Sequence, residues 1–352
     1  MSPARIVLLV LLTTGVWAVA QVKPAINTNP EFNGKNLDQW IKEVEDIDPS
    51  VREHAIKIVS LMGPAAKRAA PAVIRQIKNE NDYSPMTNAI IAIGVILPDD
   101  DKVRRDAIAA LIPMLNSGQG IVRFQAATAI GNFGPYARNA IDKLIVALRD
   151  TSSWEIRKAA AYALGRCGYN EKNYPDIRAL NALNQRVDDS CKEVRIEALQ
   201  GLINLGVPET PQEKQTLKDH FEKRLKTDKD KYAGIWIRVA LMRLDDKAIT
   251  DTHLKFISGF LKKNDPMGIN SDAARALGAI GPPARQTIPD LIAALKETDI
   301  SLVAWSAWAL GRMGGDAKSA LPALQLVMET ADPAVKAAVQ DAINNINAPI
   351  RR

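Results

Sequence analysis

One residue pattern recurs along nearly the whole of this 352-residue chain and limits its architecture more than any other feature. It reads Asp-Pro-x-Val-Arg-x-x-Ala, then about eight residues to Gly-Pro-x-Ala, then a proline-opened apolar run. The first copy is Asp48-Pro49-Ser50-Val51-Arg52-Glu53-His54-Ala55, followed by Gly63-Pro64-Ala65-Ala66 and Pro71-Ala72-Val73-Ile74. Later copies place Arg123 before Gly134-Pro135, Arg157 before Gly168, Arg195 before Gly206, Asn270 before Gly281-Pro282 and Val303 before Gly314. Asp332-Pro333-Ala334-Val335-Lys336 closes the series. Positions 123, 157 and 195 are 34 and 38 apart, and 270, 303 and 336 are 33 apart. A period in the thirties with two helices per unit marks a solenoid, in which no unit buries its apolar face alone.

Because the copies run almost end to end, the length is read as one elongated domain over 32–347 rather than several separate cores. Apolar residues make up 47% of the chain but aromatics only 5%. Much of the apolar content is alanine, which suits close-packed helix pairs, whereas a β-sandwich would ask for more β-branched and aromatic residues. The net charge of +6 is mild, and its acids and bases are interleaved. That describes a solvated helical surface and not a polycation.

The first twenty residues differ. Arg5 precedes an apolar run from Ile6 to Ala20 that ends in Ala18-Val19-Ala20, the layout of a cleaved secretory signal peptide. Fifteen residues are short for a bilayer, which takes ~20. The expectation is an exported protein, periplasmic or secreted, with no integral span after cleavage; an uncleaved anchor is the alternative. Residues 21–31 read as a linker and 348–352 as a short tail. Cys167 falls at a core position, while Cys191 begins another repeat's second helix in a more exposed setting. These non-equivalent positions argue against a disulfide even in an oxidising compartment.

Phe32 to Ile41 should open the first helix, with Asn36 as N-cap. In later units the first helix carries a proline in its opening turn, at Pro71, Pro113, Pro289 and Pro322, where the missing N–H costs little. The second helix starts after Asp-Pro or a polar turn and ends near a glycine, which suits a left-handed C-cap. About nine pairs result, the poorest near 81–97 and 209–247. Tyr169–Asp176 and Val207–Gln212 read as loops. Trp40 and Trp236 sit in apolar surroundings and read as core.

The Asp…Val-Arg-x-x-Ala…Leu-Gly pattern, with a preceding Pro-x-Leu helix, resembles HEAT repeats. More narrowly it is similar to the short HEAT-like units of phycobilisome lyase subunits and many exported bacterial proteins. The resemblance covers roughly residues 32–347 and implies an all-α fold, a right-handed α–α superhelix of about nine helix pairs. It also implies a ladder between neighbouring units, built from the repeat arginine and an Asp six or seven residues upstream. Asp46 with Arg52, Asp150 with Arg157 and Asp189 with Arg195 match that spacing. Val303 and Asn270 depart from it, so the ladder should break towards the C-terminus.

Inventory removes most catalytic readings. His54, His220 and His253 are far apart, with no second ligand at i+3 or i+4. There is no CxxC pair, no HExxH and no Walker-type or GxGxxG loop. HEAT-like hydroxylases that hold two irons use His-Glu pairs, which none of these histidines forms. The expectation is therefore no enzyme, no metal and no cofactor. Gly94, Gly131, Gly165, Gly278 and Gly311 each lie eight residues after the repeat's Arg position, inside the second helix, where glycine costs about 1 kcal/mol against alanine. Close helix approach or a smooth inner surface would compensate.

Helical geometry supplies the one functional candidate. At about 100° per residue, Leu302, Ser306, Leu310 and Met313 share a core stripe, and Trp305, Trp308 and Arg312 share the opposite side. Tyr162 and Arg166 take the angles of Trp308 and Arg312 in an earlier repeat, and Arg275 stands one repeat before Trp308. Second helices line the concave side in HEAT solenoids, so these residues would face inward there. Exposed Trp and Arg are enriched at binding hot spots. The alternative is that the tryptophans cover a neighbouring repeat or stack on arginines. The reading is a non-enzymatic, monomeric scaffold holding a protein or peptide on its concave face, with no nucleic acid expected. Two alternatives are an accessory, lyase-like subunit handling a cofactor or chromophore, and binding of an acidic envelope polymer.

Overall fold

The computed structural model describes residues 29–170, 172, 174–227, 230–245, 250–262 and 268–348. The expected signal peptide and cleavage point, most of the expected linker and residues 349–352 lie outside the described residues. Where the repeats read as one domain, the described residues form two compact units, 29–250 and 251–348. The division follows the stretch in which the repeat signature is weakest.

The N-terminal unit opens with a small antiparallel hairpin, β1 (Glu31–Phe32) and β2 (Lys35–Asn36). Asn33 and Gly34 both carry positive φ, 49° and 77°, as a two-residue primed turn requires. The first helix follows as α1 (Leu37–Val44), capped by Asn36 as expected, and Asn36 and Gln39 form a reciprocal capping box. Helix pairs follow: α1 with α2 (Pro49–Met62), α3 (Ala70–Asn79) with α4 (Tyr83–Ile96), and α5 (Asp101–Met114) with α6 (Gly120–Asn132). Then come α7 (Ile141–Ala147) with α8 (Trp154–Cys167), α9 (Ile177–Arg186) with α10 (Lys192–Leu205), and α11 (Pro211–Thr227) with α12 (Lys231–Leu244). Second helices pack in series from α2 through α4, α6, α8 and α10 to α12. The C-terminal unit repeats the plan with α13 (Asp251–Ser258) and α14 (Ile269–Ile280), α15 (Ile288–Ala294) and α16 (Ile300–Met313), and α17 (Leu321–Thr330) and α18 (Pro333–Asn347). There α14, α16 and α18 are the serial neighbours.

The recurrent motif residues now have physical roles. Asp48, Asp230 and Asp299 cap α2, α12 and α16 by accepting backbone N–H bonds. The Gly-Pro-x-Ala stretch forms a 3-10 turn whose alanine, Ala66, Ala137 or Ala284, is fully buried; Ala317 does the same after Gly314 without the proline. The glycines ending α2, α10, α14 and α16 do take positive φ, from 56° to 86°, but their ψ lies between −136° and −155°. That region is open almost only to glycine. It replaces the expected left-handed helical cap in these helices. Gly168, after α8, has φ −74° and needs no such freedom.

Pro71, Pro289 and Pro322 stand in the first turn of their helices, but Pro113 does not. It lies one residue before the end of α5, whose start is set by the Asp100 cap rather than by a Gly-Pro turn. Trp40 and Trp236 are core residues, as is Cys167. Cys191 is the half-buried N-cap of α10, and both thiols are free. The intra-helical glycines mark close approach between second helices. A Cβ at Gly94 would meet Ala129 Cα at 2.9 Å, one at Gly165 would meet Gly201 Cα at 2.4 Å, and one at Gly311 would meet Ala342 Cα at 2.8 Å. No helix among the described residues is long and apolar enough to cross a membrane.

Candidate functional site

In the C-terminal unit, the core stripe of α16 is buried as its spacing predicts, through Leu302, Ser306, Leu310 and Met313. The opposite side carries Trp305 and Trp308, both half-buried, and the exposed Arg312. The indole rings meet edge to face, with centroids 5.4 Å apart and an 88° interplanar angle. The Arg275 guanidinium, reaching across from α14, lies 5.5 Å from the Trp305 ring, and the Arg312 guanidinium 5.9 Å from Trp308. Arg275 also pairs with Asp272 at 3.2 Å, one turn before it on α14. These four side chains form one group, and contacts of this kind are worth ~0.5–2 kcal/mol.

The same geometry gives Trp308 a packing task. A Cβ at Gly278 of α14 would lie 2.3 Å from Trp308 Cζ3, so the indole rests directly on that glycine. Tyr162 repeats the arrangement in the N-terminal unit, its ring edge 2.7 Å from where a Cβ of Gly131 would stand. Its hydroxyl donates to Asn132 Oδ1 at 2.7 Å, and Asn132 Nδ2 donates to the Gly94 carbonyl at 3.1 Å. Burial pushes the Tyr162 phenol above its ordinary value, which keeps the donor protonated. Arg166 Nε donates to the Gly131 carbonyl at 2.9 Å, and its guanidinium lies 5.5 Å from the Tyr162 ring. Tyr162 and Arg166 thus bridge three successive second helices. They belong to the N-terminal unit, and the Trp305 group to the C-terminal one. Asn132 was not foreseen; only its place one residue after a repeat glycine could have suggested it.

The arginine ladder exists, with a pairing different from the one the spacing implied. Arg52 reaches Asp46 through the carbonyl oxygen at 2.9 Å, and gives its charge to Glu80, at 2.6 Å, and Asp82 in the next unit. Arg157 donates to the Asp150 carbonyl and grips both carboxylate oxygens of Asp189 at 2.9 Å. Arg195 donates to the Asp189 carbonyl and to the Asp230 carboxylate at 2.7 Å. Arg123 does the same with Ser117 and Asp150. Each arginine therefore binds its own turn by the backbone and the following turn by the carboxylate. A six- or seven-residue offset fits the first contact, and the second lies about one repeat away. Asn270 continues the row only with a 3.4 Å contact to Asp299, and Val303 is buried.

The Cys191 thiol donates to Glu193 Oε2 at 3.0 Å, and burial together with that carboxylate pushes it above its ordinary value. Burial pushes the Cys167 thiol up to about 12, leaving it protonated. His220 sits between Asn184 and Asp188 as a bridging side chain. Among the described residues no group of three or more His, Cys, Asp or Glu could hold a metal ion.

The chain finds no match among curated proteins. Among solved structures it is similar to the CpcE–CpcF complex of phycocyanin lyase from Nostoc sp., at 18% identity over 94% of this chain and 100% of that one, with a TM-score of 0.47. A designed armadillo repeat protein matches at 21% identity over 59% of this chain and 100% of its own, with a TM-score of 0.48. At such identities the likeness concerns the fold alone. The HEAT-repeat profile matches residues 108–203, 141–242 and 255–344, well over half of the chain. With stacked helix pairs, buried Gly-Pro-x-Ala turns and an inter-repeat arginine ladder, the chain belongs to the HEAT-repeat family.

Proposed function

We propose that this chain is a non-enzymatic, exported scaffold that holds a protein or peptide on its second-helix surface, with recognition centred on Trp305, Trp308, Arg275 and Arg312. The observation that carries this reading is the half-buried indole pair on α16 with an arginine stacked at each end. Core packing of Trp308 on Gly278 occupies one edge of that ring and leaves the residue part-exposed. Exposed Trp and Arg contribute disproportionately to protein–protein affinity because they desolvate large surfaces while keeping directional donors. Tyr162 and Arg166 offer a second, more constrained place of the same kind. Export follows from the Ile6–Ala20 segment and sets the compartment in which the partner is sought.

The test is a pull-down from the envelope fraction of the source cells, with the chain beginning at Gln21 as bait. Trp305→Ala/Arg312→Ala is run beside it. Trp308 is kept, because removing it would also unpack Gly278. A protein retained by the unaltered chain in moderate salt and lost from the variant, with helical circular dichroism unchanged, supports the scaffold reading. Equal recovery of every protein by both forms refutes it.

A further inference from the structure

A polar cleft of about 350 Å³ opens in the N-terminal unit between two turns, residues 149–151 before α8 and residues 185–190 before α10. Arg157 of the ladder forms part of its wall. The volume equals that of about twelve waters at ~30 Å³ each, enough for a hydrated tetrahedral or planar anion and the group that bears it. Three aspartates, Asp150, Asp188 and Asp189, also line it, and all three already have cationic partners. Asp150 is held by Arg123 at 3.0 Å, Asp189 by both nitrogens of Arg157 at 2.9 Å, and Asp188 by Arg224 at 3.2 Å and His220 at 3.1 Å. Three of these partners, Arg123, Arg224 and His220, come from outside the cleft.

Five arginines therefore serve three carboxylates, and the surplus falls on Arg149 and Arg186. Arg149 is exposed and makes no side-chain hydrogen bond or ion pair among the described residues, while Arg186 has only a 3.4 Å contact to the already paired Asp189. Thr151, Gln185 and Ser190 add neutral side-chain donors without partners among the described residues. Guanidinium groups bind carboxylate and phosphate oxygens through paired, charge-assisted hydrogen bonds.

We propose that this cleft is an oxyanion site, in which Arg149 and Arg186 receive a phosphate or carboxylate group carried by a ligand. It stands apart from the Trp305 group, in the other unit, and does not depend on that reading. Arg157 stays committed to Asp189 and contributes field rather than a free donor. The ladder beneath fixes the two turns that carry these arginines.

The experiment titrates the chain beginning at Gln21 with inorganic phosphate and, separately, with acetate, at low ionic strength, following backbone amide shifts by NMR. Saturable shifts confined to residues 149–151 and 185–190 with either ion are expected, the preferred ion reporting the ligand group. Arg149→Gln/Arg186→Gln should weaken that binding about tenfold or more, with the helical circular dichroism at 25 °C unchanged. Arg285→Gln, an exposed arginine of the other unit, should leave it intact. Non-saturating shifts, shifts spread over the surface, or the same loss in both variants would overturn the proposal.

Discussion

Replacing Gly165 by alanine sets two opposed effects against each other. Inside a helix the change gains about 1 kcal/mol of intrinsic propensity, and by that alone the protein should become more stable. The structure argues the reverse. A Cβ at 165 would stand 2.4 Å from Gly201 Cα and 3.3 Å from the Gly201 carbonyl carbon and oxygen. Carbon atoms attract at ~3.5–4.0 Å, so α8 and α10 would have to part by more than ~1 Å. The obstruction is backbone and cannot rotate aside. Overpacking a filled core costs ~1–3 kcal/mol and occasionally more, and this geometry belongs at or beyond the upper end. The net expectation is a loss of about 2 kcal/mol, or a fall of about 4–8 °C in the melting midpoint for a unit of this size. Midpoints followed by circular dichroism at 222 nm are the suitable reading, because repeat arrays need not unfold in two states. Gly131→Ala should lose less, since part of its obstruction is the Tyr162 ring, a side chain that can shift. Gly120→Ala, whose nearest neighbours lie at 3.8 and 3.9 Å, should lose nothing. A Gly165→Ala protein that melts at or above the parent temperature would refute the close-approach argument.

Three further outcomes follow from the ladder and from the α14–α16 contact. Burial pushes the Asp189 carboxyl up, but hydrogen bonds from Arg157 and the Cys191 amide, with the charges of Arg157 and Arg186, outweigh it and hold the group below the usual aspartate range. Glu80, opposed by burial and held down by Arg52 and the Asp82 amide, behaves alike. The unfolded chain thus takes up these protons at higher pH than the folded one. The stabilisation is complete above ~pH 4–5 and is lost as pH falls through the depressed folded values; a melting midpoint that held steady from pH 6 to 2.5 would contradict this. Asp189→Asn should cost about 3 kcal/mol at pH 7 by leaving Arg157 without its carboxylate, and should flatten the acid limb. Separately, Gly278→Ala should be destabilising alone and less so in a Trp308→Ala background, where the ring that meets the new methyl is gone. Additive midpoint shifts in that double-mutant cycle would show that Trp308 does not rest on Gly278.

The repeat signature made the helix pairs, their caps and their turns legible, because each depends on residues a few positions apart. Asp48 caps α2 whatever lies elsewhere, and a glycine before proline commits the backbone to one sharp turn. Even locally some signals were overshadowed: Asn33-Gly34 announces the hairpin that precedes the Asn36 cap, beside a far stronger helix pattern. Pro113 was assigned to an opening turn by analogy with Pro71, although no Gly-Pro precedes its helix.

The amino-acid order by itself determined that this chain is a stack of helix pairs, which helix of each pair carries the arginine, and that five glycines stand at one helical offset. Only the tertiary structure decided what those residues meet. The carboxylate that receives Arg157 is 32 residues away, Trp308 rests on a glycine of the preceding pair, and the cleft of Arg149 and Arg186 exists only because two turns of adjacent pairs face each other. Spacing along one helix follows from 3.6 residues per turn. Contact between pairs depends on how far each is rotated and shifted against the next, and that is settled by the volumes packed at the interface, glycine against alanine or indole.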